Sequence, residues 1–88
     1  MDVQLLDQLK SRLRITWDDE DDSLKEMLKD ASNYLAKLTG IPIDFVNDAQ
    51  GKTLLIERCR YVYNNVADEF EKNYKHELSR LILHQAIK

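Results

Sequence analysis

Apolar positions along this chain recur at helical spacing in four stretches, and alternation of the kind a strand needs is found in none of them. Over residues 3–13, Val3, Leu6, Leu9 and Leu13 share one face with Leu5 beside them, and Asp2 is placed to cap the start. Lys10, Arg12 and Arg14 gather at the far end, where cations favour the helix dipole. From Ser23 to Leu38 the stripe is Leu24, Met27, Leu28, Ala31, Tyr34, Leu35 and Leu38, with Lys25, Glu26, Lys29, Asp30, Asn33 and Lys37 opposite. Gly40 stands where a left-handed C-terminal cap belongs, and Pro42 prevents continuation.

The third stretch, Gly51 to Phe70, organises the rest. Leu55, Ile56, Cys59, Val62, Tyr63, Val66, Ala67 and Phe70 fall on one face wide enough to seat two neighbouring helices. Glu57, Arg60, Asn64, Asp68 and Glu71 lie opposite, and Asp48 is the expected cap. Ile43, Phe45 and Val46 lie in a short crossing over residues 41–47, expected to tuck beneath the helices. The polar run 71–75 predicts a kink or short turn near Asn73, after which the helical pattern resumes to the end of the chain. The fold class expected is all-α: a small bundle of three to four helices around a long central helix. Tyr34, Leu35, Leu55, Val62 and Val66 form its predicted shared core.

Two patterns exceed what such a core needs. In the last segment Tyr74, Leu78, Leu81 and Ile82 define the inward face, while Leu83 and Ile87 project to nearly the opposite side beside His76. A terminal helix that is apolar on two sides in so short a chain is a candidate for contact with another chain. On the polar side of the central helix, Leu54 and Tyr61 stand seven residues apart with Arg58 and Asn65 between and beside them. Tyr and Arg on an otherwise exposed strip suit an interface. The candidate interface is therefore Leu54, Arg58, Tyr61, Leu83 and Ile87.

Composition narrows the classes. The 88 residues make one domain, with 2 Gly and 1 Pro, a single cysteine and a net charge of −3. Residues 1–47 carry 10 acids and 6 bases, and residues 48–88 carry 6 acids and 7 bases, so neither half has the basic excess that nucleic-acid phosphates require. One cysteine makes no internal disulfide, no apolar run nears the length of a membrane span, and Asp2 and Asp7 break up any secretory signal.

The acidic run Asp18-Asp19-Glu20-Asp21-Asp22 invites a metal reading. A calcium loop needs alternating acids, a turn glycine and a closing glutamate, whereas these acids are consecutive and lack glycine. They are expected instead to crowd a solvent-facing first helical turn, capped by Thr16 or Asp18. Cys59 lies on the apolar face with no basic neighbour to activate it, and His76 and His84 sit among polar residues. Gly51-Lys52-Thr53 lacks the strand and preceding glycine of a phosphate-binding loop. No catalytic, cofactor or metal site is expected.

The run 9–22, LKSRLRITWDDEDD, then 28–40, LKDASNYLAKLTG, and 56–65, IERCRYVYNN, together resemble the phage head–tail connector (adaptor) family in order and spacing. The resemblance implies a structural virion protein at the head–tail junction, made in the host cytoplasm. It implies a ring, commonly twelve-fold, beneath the portal protein. Such a ring extends the DNA channel, with DNA only as passing cargo, and docks a stopper or tail-completion protein. The competing class is a small helical regulatory or nucleic-acid-binding module, against which the negative charge and the divergent directions of Arg58 and Arg60 weigh.

Overall fold

The computed structural model describes residues 3–40, 43–45 and 47–86, with side chains from 4 to 83 within those ranges. Every regular element among them is helical: α1 (Val3–Leu13), α2 (Asp21–Thr39), α3 (Ala49–Tyr63), a 3-10 turn (Ala67–Glu69), α4 (Phe70–Asn73) and α5 (Lys75–Ala86). The expected all-α bundle is present, and α3 is its centre, packing against α1, α2 and α5. Leu5, Leu6 and Leu9 of α1, Leu24, Leu28 and Leu35 of α2, Leu55 and Cys59 of α3, and Leu78 and Leu81 of α5 join one buried core.

Helix ends follow local chemistry. Asp48 caps α3 as expected, its carboxylate accepting the Gln50 and Gly51 amides at 3.1 Å each. The crossing before α3 presses close, since a Cβ on Gly51 would meet Cγ2 of Ile43 at 2.9 Å. Ile43 and Phe45 pack against the core as foreseen. Asp2, Pro42 and Val46 lie outside the described residues.

Three helices end through a residue in the left-handed region. Gly40, at φ 75°, donates to the Ala36 carbonyl at 2.9 Å. Arg14 closes α1 at φ 60°, with Ile15 N–H reaching Lys10 O at 2.8 Å and Arg14 N–H reaching Ser11 O at 3.2 Å. Asn65 follows α3 at φ 62°, with Val66 N–H on Tyr61 O at 2.9 Å and Asn65 N–H on Val62 O at 3.1 Å. The paired bonds after α1 and α3 are the Schellman pattern, which satisfies the last carbonyls while turning the chain.

The Asn64–Asn65 turn corrects the sequence reading most. The central helix stops at Tyr63 instead of running to Phe70, and α2, at 19 residues, is longer than the 15-residue α3. A second break does fall where it was expected, at Tyr74 between α4 and α5. Because the chain turns back, the α4–α5 segment returns along α3 and covers the strip Gln50–Leu54–Arg58–Tyr61. Leu54, assigned from sequence to an exposed strip, is 1% exposed and part of the core. Val62 and Val66, assigned to the core, are only half-buried. Glu57, assigned to the polar face, is buried.

The acidic run also differs from expectation. α2 begins at Asp21, so Asp18 and Asp19 lie in the loop and neither Thr16 nor Asp18 caps the helix. Glu20 takes the cap position without a side-chain cap bond. Lys10 displaces the expected arrangement: its ammonium stands 2.7 Å from Asp18 and 2.8 Å from Asp21, tying the loop to α1.

Candidate functional site

The corner between α3 and α4 gathers four aromatic rings and one arginine. Phe70 is fully buried, Tyr74 stacks on it at 5.1 Å, and Tyr61 meets both edge-on at 5.7 Å. Arg58 donates to the Ala67 carbonyl at 3.0 Å and lies over the rings of Tyr34 and Phe70. The Tyr61 hydroxyl accepts from Asn73 at 2.9 Å, and the Tyr34 hydroxyl donates to Glu71. Burial first, and then that bond to Glu71, push the Tyr34 phenol up to about 12. Arg58 and Tyr61 are thus spent largely on holding the corner, and only their half-exposed edges face outward.

The free apolar surface lies at the other end of α5. Leu83 is 66% exposed, as its helical phase required, and Ile82 and Leu38 are 37% and 39% exposed. Leu38 and Ile82 line, with Leu78, a shallow groove of about 370 Å³ rimmed by Glu71, Lys72 and Lys75. An apolar floor with a charged rim is the composition of a protein interface. Sequence reasoning placed Leu38 and Ile82 in the core. Both sit at the end of an apolar stripe, where a helix overruns its partner, and that position was the available signal.

Of the five candidate interface residues, Leu83 is outward, Arg58 and Tyr61 are half-buried, Leu54 is core, and Ile87 lies outside the described residues. The structure therefore separates Leu83 from the α3 strip and leaves Leu38 and Ile82 exposed in place of Leu54.

Charge is distributed in three ways. The buried Glu57 carboxylate joins Arg12 of α1 and, at 2.5 Å, Arg60 of α3. Burial pushes its pKa up, but the bonds from Arg60 and Arg12 outweigh this and hold it below the usual glutamate range. Arg12, Arg14 and Lys52 rim an open groove over Ile56 between α1 and α3. Asp22, Glu26 and Asp30 rim another, beside Met27 and Val62, between α2 and the end of α3.

Within the acidic run, Asp18 and Asp21 are engaged by Lys10, and Glu20 accepts from Trp17 Nε1 at 2.7 Å and from the Tyr63 hydroxyl at 3.2 Å. Among the described residues no group of three or more His, Cys, Asp or Glu is placed to hold a metal ion. Cys59 is buried, its Sγ directed at the Met27 carbonyl at 3.7 Å, and burial pushes its thiol up to about 12. That keeps it protonated and unreactive at neutral pH. No helix among the described residues is long and apolar enough to cross a membrane.

The sequence profile of one protein family, described as Phage gp6-like head-tail connector protein, matches residues 3–84. The match takes in all the helices except the last two residues of α5. No curated protein and no solved structure matches the chain at the significance required.

Proposed function

The chain belongs to the phage gp6-like head-tail connector family, and from that premise we propose that it assembles as a ring beneath the portal protein and docks the stopper or tail-completion protein. The family is one of structural phage connectors, which makes the chain a component of the virion. In the proposed assembly about twelve copies follow the symmetry of the portal and extend its channel, through which DNA passes without sequence-specific contact. Before assembly the protein resides in the host cytoplasm, and its 88 residues act as one helical unit.

One observation carries the reading: the family match spans nearly the whole chain, from α1 into α5. The exposed Leu83, and the groove between Leu38 and the neighbouring Ile82, support it as docking surfaces for another virion protein. Ile87 extends the same helical phase in the sequence. Tyr61 and Arg58 remain candidate contacts through their outer edges only. A nucleic-acid-binding role gains little, because three cations in one groove on a chain of net charge −3 neutralise few phosphates.

Native mass measurement of the chain mixed with its portal tests the proposal. Wild type should add a full ring of copies. Leu83→Asp places a charge where an apolar contact would be desolvated, so it should keep the melting temperature and lose copies from the complex. Leu54→Asp should instead unfold the chain. Capsids made with Leu83→Asp should fill with DNA and fail to retain it or join tails. Full infectivity of both Leu83→Asp and Ile87→Asp particles would reject this docking surface.

A further inference from the structure

Two oppositely charged grooves lie on different sides of α3. At 100° per residue, Val62 in the acidic groove stands roughly 120° round the helix from Ile56, roughly 180° from Thr53 and roughly 80° from Lys52 in the basic one. Asp22, Glu26 and Asp30 are spaced four residues apart on α2, so three carboxylates of like sign stack along one exposed ridge. None of the three has an ion-pair partner among the described residues. Like charges four residues apart repel, which Lys25 and Lys29 on the same helix offset only in part, so a cation from outside would be favoured along the ridge. Beside the ridge, Met27 and Val62 are half-buried and supply an apolar seat.

Across the molecule, Arg14 and Lys52 are likewise without an ion-pair partner among the described residues, while Arg12 is committed to Glu57. Arg14 occupies a left-handed backbone position that glycine would take at lower cost, so a cation is held there against local preference.

A ring closes only through a heterologous contact, in which each subunit offers two different and complementary patches. We infer that neighbouring copies of this chain join through the groove rimmed by Arg12, Arg14 and Lys52 on one copy and the ridge of Asp22, Glu26 and Asp30 on the next. The charges are opposite in sign, with the unpaired Arg14 and Lys52 beside the Arg12–Glu57 pair facing three carboxylates, each patch carries an apolar centre, and the two lie on separate faces as ring closure requires. This inference rests on the connector reading and assigns its subunit contact. The occupant of both grooves is a second copy of the chain.

Charge swapping tests it. Glu26→Lys makes one patch repel its neighbour's cations, and Arg14→Glu makes the other repel carboxylates. Both positions are exposed, so neither variant should melt below wild type, and Glu26→Lys should gain slightly from relief of the ridge. Each alone should lower the apparent affinity of copy for copy on the portal roughly tenfold or more, and high salt should weaken the wild-type contact. An equal mixture of the two variants should restore assembly, because in an alternating ring every contact again pairs opposite charges. The double variant Glu26→Lys/Arg14→Glu should also restore it.

Full assembly by either single variant, or no rescue by both the mixture and the double variant, overturns the contact. Loss with Arg14→Glu alone would mark the basic groove as an anion or nucleic-acid site and overturn it too. Wild-type copies that bind the portal singly leave the connector reading intact and overturn the contact. If wild type does not bind the portal, the connector reading fails. The same four proteins are then compared by sedimentation at low salt, where self-association must follow the same pattern for the contact to stand.

Discussion

The guanidinium of Arg58 lies 3.8 Å from the centre of the Tyr34 ring, clamping α3 to α2, while its Nη1 reaches across the chain turn to the Ala67 carbonyl. One side chain thereby fixes both the packing of two helices and the direction in which the chain leaves α3. Arg58→Ala removes a cation–π contact and leaves that carbonyl without its donor, so stability should fall by about 1–3 kcal/mol. Arg58→Lys should recover only part, because an ammonium cannot stack and fork at once. Urea denaturation of the three proteins, with unchanged slopes, measures the difference.

Glu57 makes stability depend on acid. Its folded pKa lies below its unfolded value, so its contribution is present above the ordinary glutamate range and is lost as pH falls through the folded pKa. Glu57→Gln should cost about 1–2 kcal/mol at neutral pH. That is less than a fully buried pair would lose, since Arg12 and Arg60 both reach solvent. The variant's urea midpoint should fall less steeply than wild type's as pH drops below about 4.

Tyr34 and Cys59 act at the other end of the scale. Both have folded pKa values raised to about 12, so the stability they support is complete below their unfolded values and is lost as pH rises toward the folded ones. The urea midpoint should therefore decline from about pH 9 toward pH 12. Tyr34→Phe keeps the ring beneath Arg58 and removes the phenol, so its decline above pH 10 should be shallower. An unchanged slope would show that Tyr34 does not titrate within the folded state.

Arg14→Gly should stabilise the chain. Relief of the left-handed backbone is worth about 1–2 kcal/mol and the added freedom of glycine when unfolded costs about 0.5–1, leaving a net gain of roughly half a kilocalorie. Thermal melting at matched concentration reads it directly.

The turns explain which features could be read from sequence. Three helices end through left-handed residues, yet only Gly40 announces its conformation by composition. Asn65 follows Asn64 in a stretch whose apolar period runs on through Val66, Ala67 and Phe70, so the periodicity masked the stop. Asparagine tolerates that conformation, and the Asn-Asn pair was the local signal outweighed by the longer pattern.

Missing that turn misplaced everything that depends on the return of the chain. With α4 and α5 folded back, Gln50 donates to the Glu77 carbonyl at 3.2 Å, and the strip holding Leu54 and Tyr61 becomes an internal seam. The side that stays open is set by the C-terminal overrun. Leu83 was legible there because its phase opposes Leu78 and Leu81 whatever partner α5 has. Glu57 gave no hint of burial, since its second partner Arg12 is 45 residues away and Arg60 alone reads as an ordinary surface pair.

The turn at Asn65 also bears on how quickly the chain finds its fold. By sending α4 and α5 straight back onto α3, it makes their docking a local event that needs only a short loop to close. The α2–α3 pairing is likewise between sequence neighbours. The seam between α1 and α3, marked by Arg12 and Glu57, joins elements separated by the whole of α2. Contacts close in sequence form fast and distant ones wait on chain closure. The α1–α3 and α2–α5 seams are therefore the late contacts, and the groove between Leu38 and Ile82 is complete only once the second of them has closed.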